Sequence, residues 1–348
     1  DLDLIDSFMV ALQQEMTKKN RIQKTGNEPA TIDTLYIGGG TPSVLPAEQI
    51  VKIIGTAKTG VNLLPDAEIT VEVNPDSVSP DWLQDVQSAG VNRINIGVQS
   101  FNDDYLRWLG RLHSADQATK AIEAAHKTGF TNIGLDIIYS LAGQTEKQLN
   151  QDLEQALAFS PEHLSCYMLT CESGTPMSLD VNSGRIPWSG DDALRELFDT
   201  TLNFLTTHGF QQYEISNFAR KTNGGLEPRY SRHNQKYWSF APYIGLGPSA
   251  HSFITPQRYW NHRSIENYVR NIKAGRLPIA EKEELTREQM IMEAIFLGLR
   301  TTRGISLIGF EKMFGLNFIK TYEGKIVDLE KDRLLNLTNT HCALTPKG

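Results

Sequence analysis

Cysteine is scarce: Cys166, Cys171 and Cys342 are the only three in 348 residues. They are too few and too irregularly placed for a disulfide framework in a chain this long, so a reducing cytoplasm is the expected compartment. Long apolar runs are also missing, and none approaches the roughly 18 residues needed to cross a bilayer as a helix. Positive charge is outweighed, with 34 Lys+Arg against 41 Asp+Glu and a formal net charge of −7. The basic residues are scattered, which offers no footprint for a phosphate backbone, and nucleic acid is not an expected partner. No basic and apolar leader opens the chain, yet the first residue is Asp1 rather than methionine, so further sequence is expected ahead of it. What remains is ordinary for a soluble fold: 40% hydrophobic and 22% charged residues, enough for a large core.

Ile5, Phe8, Met9, Leu12 and Met16 recur at helical spacing, so the chain opens inside an amphipathic helix. A short β-prone run, Thr34 to Ile37, then delivers Gly38-Gly39-Gly40-Thr41-Pro42. The unit repeats. Glu68–Val73, Arg93–Val98, Asn132–Ile138 and His163–Leu169 read as strands, each preceded by a helical pattern. Their ends at Gly38, Asn74, Gln99, Asp136 and Thr170 are spaced close to the roughly 30 residues of a strand, crossover helix and strand. Alternation of this kind implies a parallel sheet. Polar residues at the carboxyl ends of successive strands (Thr41, Glu72, Asn74, Gln99, Asp136, Thr170, Glu172) favour a barrel over an open sheet with one switch point. Because the chain starts in a helix, a first strand is expected ahead of Asp1. Beyond Thr170 come a loop-rich passage, a helix over about Asp191–Thr207 and a strand around Tyr213–Ile215. Residues 216–262 are rich in Tyr, Trp, His, Asn and Gly with little periodicity. A helical tail of winged-helix size runs from Thr286, its wing expected to include Leu344–Lys347. The expected domains are 1–215, 216–280 and 281–348.

The glycine loop suits either a tight turn or close backbone approach to a ligand, and it has neither the P-loop nor the Rossmann spacing. A phosphate cradle is a third option, but Glu72 beside it would repel phosphate. A carboxylate facing a barrel lumen must be paired, hydrated or ligand-bound, and Glu72, Gln99, Arg111 and Asp136 together suit a zwitterion carrying a ribose.

The segments LYIGGGTPSVL (35–45), EVNP (72–75), GVNRINIGVQSF (90–101), LGRLH (109–113), LDIIY (135–139), YEISNFA (213–219), HNQKYW (233–238) and YIGLGPSAHS (243–252) occur in an order that resembles the HemN-type radical SAM family. The last two segments are more similar to its heme-chaperone subgroup than to the oxygen-independent coproporphyrinogen III oxidases. The resemblance implies an α/β fold: a partial (β/α)6 TIM-like barrel, its first strand upstream of residue 1, with a C-terminal helical, winged-helix-like domain. It implies S-adenosylmethionine and a 4Fe-4S cluster as cofactors. Carried over residue by residue, Gly39, Gly40 and Thr41 would surround the methionine amino group, and Glu72, Gln99, Arg111 and Asp136 the rest of the cofactor. Arg111 would clamp the carboxylate and Asp136 accept ribose hydroxyls.

The chain departs from the family in lacking CxxxCxxC, whose three thiolates hold the cluster; those ligands are expected upstream of Asp1. Ser140 and Ala142 stand where the family has glycine and proline, and Cys171 and Ser173 also depart. The resemblance implies heme or porphyrin as a further ligand, with His233 the candidate iron ligand ahead of His251 and His262. Tyr237, Trp238, Tyr243 and Trp260 could supply flat apolar surface or simply core, and Arg229, Arg232 and Lys236 could meet propionates or stay solvated. Two activities follow from the resemblance. One is a heme chaperone that passes heme to an acceptor protein, with peripheral membrane contact. The other is an oxidase that makes protoporphyrinogen IX by 5'-deoxyadenosyl radical chemistry.

Overall fold

The computed structural model describes residues 2–22, 31–222 and 227–348. They group into two compact units. One comprises Leu35–Ile50 and Glu68–Tyr230; the other comprises Asp1–Thr34, Val51–Ala67 and Ser231–Gly348.

The first unit is built on a seven-stranded sheet in the order β1-β2-β3-β4-β5-β7-β6. The strands are β1 (Thr31–Ile37), β2 (Asn62–Val73), β3 (Arg93–Gln99), β4 (Ile133–Tyr139), β5 (His163–Met168), β6 (Phe210–Gln212) and β7 (Asn217–Arg220). Strands β2 to β5 pair in parallel, as the sequence repeat requires. The last two strands join antiparallel. The strand expected at Tyr213–Ile215 is the turn of that hairpin, closed by the Tyr213 amide on the Asn217 carbonyl at 3.1 Å.

Successive strand side chains face opposite ways, so each strand has two rows. In β3, Ile94, Ile96 and Val98 form one fully buried row, and each such side chain stabilises by about 1.5–3 kcal/mol. Helices α2 (Ala47–Gly60), α3 (Pro80–Ser88), α4 (Asp103–Trp108), α5 (Ala115–Thr128) and α6 (Glu146–Ala158) alternate with the strands. The apolar positions Leu83, Val86, Ile122, Ala125, Leu149 and Leu153 on three of these helices are buried. Their starts are locally encoded: Ser114 with Gln117, and Thr145 with Gln148, form capping boxes. Two further helices, α7 (Pro176–Asn182) and α8 (Asp191–Thr207), lead into the hairpin.

In the second unit, α1 (Leu2–Ile22) packs on α10 (Ile265–Lys273) through Phe8, Ala11, Ile265, Tyr268, Val269 and Ile272. Residues 231–262, expected to lack regularity, form α9 (Arg232–Trp238) and the hairpin β8 (His251–Ile254) and β9 (Gln257–Asn261), which β10 (Ile279–Glu284) extends. The C-terminal part holds α11 (Arg287–Leu299), α12 (Leu307–Phe314) and α13 (Phe318–Lys331). A small sheet of β11 (Ile305–Ser306), β12 (Leu335–Leu337) and β13 (His341–Leu344) completes it. Thr286 caps α11 with Gln289 in a capping box, where the helical tail was expected to start. The wing hairpin spans Leu335–Leu337 and His341–Leu344 and so takes in the expected Leu344.

Candidate functional site

The second row of β3 is polar: Arg93, Asn95 and Gln99 alternate with the apolar row, and all three are buried. Its neighbours continue the pattern. Register pairs Glu72 with Asn95, Asn95 with Gly134, and Asp136 with Ser165. Glu72, Asn95 and Asp136 therefore share the face opposite the Ile94 row.

Two glycines make room for these side chains. The Asn95 amide donates to Asp136 Oδ2 at 2.7 Å, and a Cβ on Gly134 would collide with the Asn95 carboxamide. A Cβ on Gly38 would come within 2.7 Å of both the Glu72 carboxylate and the Tyr36 ring. The Tyr36 hydroxyl donates to Glu72 Oε1 at 2.5 Å. Burial and the Glu72 charge raise the Tyr36 phenol well above its usual range, so it stays a donor. Burial also pushes the Asp136 carboxyl up to about 6, against the pull of the Asn95 and Ser165 hydrogen bonds. Asp136 Oδ1 is buried with no protein partner, which suits an acceptor awaiting a ligand hydroxyl.

The other expected residues lie at strand ends or in the loops that follow them. Gly39 and Gly40 are exposed, and each has open space where a Cβ would stand. Gly39 sits at φ +79°, a conformation few other residues adopt. Thr41 Oγ1 accepts from the Asn74 amide at 3.3 Å, and the Asn74 backbone N–H is held by Ser43 at 3.0 Å. Gln99 ends β3 with φ +67°, which turns the chain out of the strand. Arg111 follows α4 in a half-buried loop and has no carboxylate partner among the described residues. Hydrogen bonds and charge interactions thus join Tyr36, Glu72, Asn95 and Asp136, while Thr41 is tied to Asn74. Among the described residues, no hydrogen bond or ion pair ties Arg111 to them. Tyr36 and Asn95 were missed by reading strand ends alone. The signal that finds Asn95 is the two-residue polar period Arg93, Asn95, Gln99 inside an otherwise apolar strand.

The described residues do not fit an iron–sulfur cluster. No group of three His, Cys, Asp or Glu side chains is placed for a metal among them. Cys166 is 2% exposed, and burial pushes its thiol far above the range of a ready thiolate.

His233 lies on α9 in the second unit, whose start is capped by Ser231 accepting from the Asn234 amide. Its Nδ1 is 3.0 Å from Thr34 Oγ1 and its Nε2 3.1 Å from the Tyr237 hydroxyl. Burial lowers the imidazole to about 4, so the ring is neutral at pH 7. Arg232 and Lys236 pair with Asp33, and Arg232 also with Asp66. Arg229, in the other unit, donates to the Thr131 carbonyl. His251 is exposed and stacks on Trp260, with ring centroids 5.4 Å apart.

A curled sheet with a polar inner row and a glycine loop at its strand ends defines a radical SAM barrel. Residues 15–156 match the Radical SAM superfamily, and residues 285–348 match the HemN C-terminal domain. A solved structure of coproporphyrinogen III oxidase (HemN) from Escherichia coli covers 99% of this chain and 80% of its own, with a TM-score of 0.81 at 23% identity. Heme chaperone HemW of Bacillus subtilis is 35% identical over 99% of this chain and 88% of that protein. Heme chaperone HemW of Lactococcus lactis is 32% identical over 99% and 86%. Heme chaperone HemW of Escherichia coli is 40% identical over 64% and 57%. The chain belongs to the HemW family of radical SAM proteins.

Proposed function

We propose that this chain binds heme and passes it to an acceptor protein, and that its barrel binds S-adenosylmethionine. The observation that carries the heme reading is the near full-length similarity to several proteins named heme chaperone. The likeness to HemN at 23% identity concerns the fold and adds nothing for the oxidase reading.

For heme, His233 is the iron ligand of choice because a neutral imidazole is what a metal requires. Thr34 can hold Nδ1 as the orienting partner while Nε2 exchanges the Tyr237 hydroxyl for iron. The low cysteine content supports the cytoplasm as the place where the site works; among the described residues no helix is long and apolar enough to cross a membrane. An acceptor at the membrane would be met by peripheral contact.

The barrel residues suit S-adenosylmethionine. Glu72 can accept from the ammonium beside the open backbone of Gly39 and Gly40, with Thr41 close to Asn74. Gln99 offers an amide at the end of β3. Arg111, with no acidic partner among the described residues, can take the carboxylate, and the unpartnered Asp136 Oδ1 can take a ribose hydroxyl. The superfamily implies a 4Fe-4S cluster as well, and no group of three ligands for it stands among the described residues. What the residues in hand support is binding and orientation of the nucleoside, and no radical step.

Transfer is the direct test. Hemin-loaded chain mixed with an apo b-type cytochrome should deliver its heme along a saturable time course that differs from that of free hemin. Kinetics identical to free hemin, or heme that never leaves the chain, count against a carrier.

A further inference from the structure

Gly134 on β4 stands opposite Asn95 on β3 in the register of the sheet, and Asp136 lies two residues further along β4, so all three look to the same face. Glycine leaves a slot there that the Asn95 side chain fills, because a Cβ on Gly134 would collide with Asn95 Oδ1. Lying in that slot, the carboxamide reaches diagonally across, and its Nδ2 donates to Asp136 Oδ2 at 2.7 Å. Asn95 is 8% exposed in a strand whose neighbours Ile94 and Ile96 are fully buried. Burying a carboxamide costs free energy, which the bond to Asp136 offsets. Ser165, the register partner of Asp136 on β5, bonds the same carboxyl from the other side. A carboxylate that is free to turn presents either oxygen. This one is pinned: the donor from Asn95 fixes Oδ2, and Oδ1 is left buried without a protein partner. An unpartnered buried acceptor costs stability unless a ligand or water completes it.

We propose that Asn95 is a positioning residue for nucleoside binding: by holding Asp136 Oδ2 it keeps Oδ1 turned to a ribose hydroxyl of S-adenosylmethionine. This rests on the reading of the barrel as an S-adenosylmethionine site. Asn95 acts through Asp136, and Gly134 is the residue that lets it reach. Together the three set a preference for a nucleoside whose ribose carries its hydroxyls.

The test is calorimetric titration of S-adenosylmethionine and of its 2',3'-dideoxyribose analogue into the wild-type chain, Asn95→Leu, Asp136→Asn and the double variant. Leucine fills the slot over Gly134 but has no N–H to donate. Wild type is expected to bind S-adenosylmethionine about tenfold or more tighter than the analogue, the scale of one hydrogen bond to a charged group. Asn95→Leu should shrink that preference several-fold by weakening S-adenosylmethionine alone. In the Asp136→Asn background it should change the preference no further, since residues that act as a unit are not additive. Asn95→Ser, whose hydroxyl ends one bond short of the carboxamide, should move the preference the same way and serves if leucine prevents folding. Equal loss for both ligands would make Asn95 a packing residue and overturn the proposal, as would a full preference in a folded Asn95 variant or a further loss in the Asp136→Asn background. A wild-type chain that binds both ligands alike overturns it by removing the ribose contact. Binding of neither ligand by wild type overturns the S-adenosylmethionine reading instead, and that absence tells the two failures apart.

Discussion

Tyr36 and Glu72 form a short hydrogen bond, 2.5 Å between the phenol oxygen and Oε1, across the two strands that deliver the glycine loop and the EVNP strand end. The bond fixes one carboxylate oxygen and leaves the other to face the loop. Tyr36→Phe should weaken S-adenosylmethionine binding several-fold, as loss of a hydrogen bond worth about 1 kcal/mol implies. Glu72→Gln should cost more, because the partner of the ammonium loses its charge. Calorimetric titration with S-adenosylmethionine measures both, and wild-type affinity in Glu72→Gln would remove Glu72 from the site.

Asp136 sets a trade between binding and stability. Its carboxyl ionises at 3.8 when unperturbed and at about 6 in the folded chain. Between those values the folded state keeps a proton that the unfolded state has released, so this group's contribution to stability falls as pH rises through the window. Above it, the full shift is a penalty of about 3 kcal/mol. Asp136→Asn should therefore raise the unfolding free energy at pH 7 more than at pH 4, while weakening S-adenosylmethionine binding. Denaturant titrations at the two pH values decide; a gain independent of pH contradicts the assigned shift.

Ser140 closes β4 in the left-handed region, φ +63°, with its hydroxyl buried and unpartnered. Glycine takes that conformation without a Cβ penalty, so Ser140→Gly should stabilise by about 1 kcal/mol. A raised thermal midpoint checks it, and a lowered one would mean the hydroxyl contributes something the geometry does not show.

The second unit contains a charge pair out of water. Lys19 and Glu15 are 2.8 Å apart at 2% and 0% side-chain exposure. Glu15 also accepts from the Tyr268 hydroxyl, the Asn261 amide and the Gly247 backbone N–H, which ties α1 to α10 and to the loop before β8. Lys19→Met leaves that carboxylate without its cation and should cost about 3–5 kcal/mol. Glu15→Leu combined with Lys19→Met should cost less than Lys19→Met alone, and the reverse order in denaturant midpoints would contradict this account of the pair.

Much of this architecture was legible from residue pattern. The strand–helix repeat placed β2 to β5, and the helix onset at Thr286 could be read because a capping box is a local signal. The Tyr213–Ile215 turn was mistaken for a strand because aromatic and β-branched residues favour both a strand and a hairpin corner packed against His163. Gly39, Gly40, Thr41, Glu72, Gln99 and Asp136 could be picked out as polar or glycine residues at strand ends. Asn95 lies inside β3 and not at its end, so the polar period of that strand is what marks it in the sequence, and register then shows it reaching over Gly134.

The central claim is that this chain holds heme through a neutral imidazole on α9. Titration of hemin into wild type and His233→Ala, followed in the Soret region, tests it most directly. The account expects a saturable Soret shift in wild type and binding weakened by about tenfold or more in the variant, the scale of a lost metal ligand or its support. A wild-type spectrum unchanged from free hemin, or a His233→Ala titration that superimposes on wild type, would contradict it.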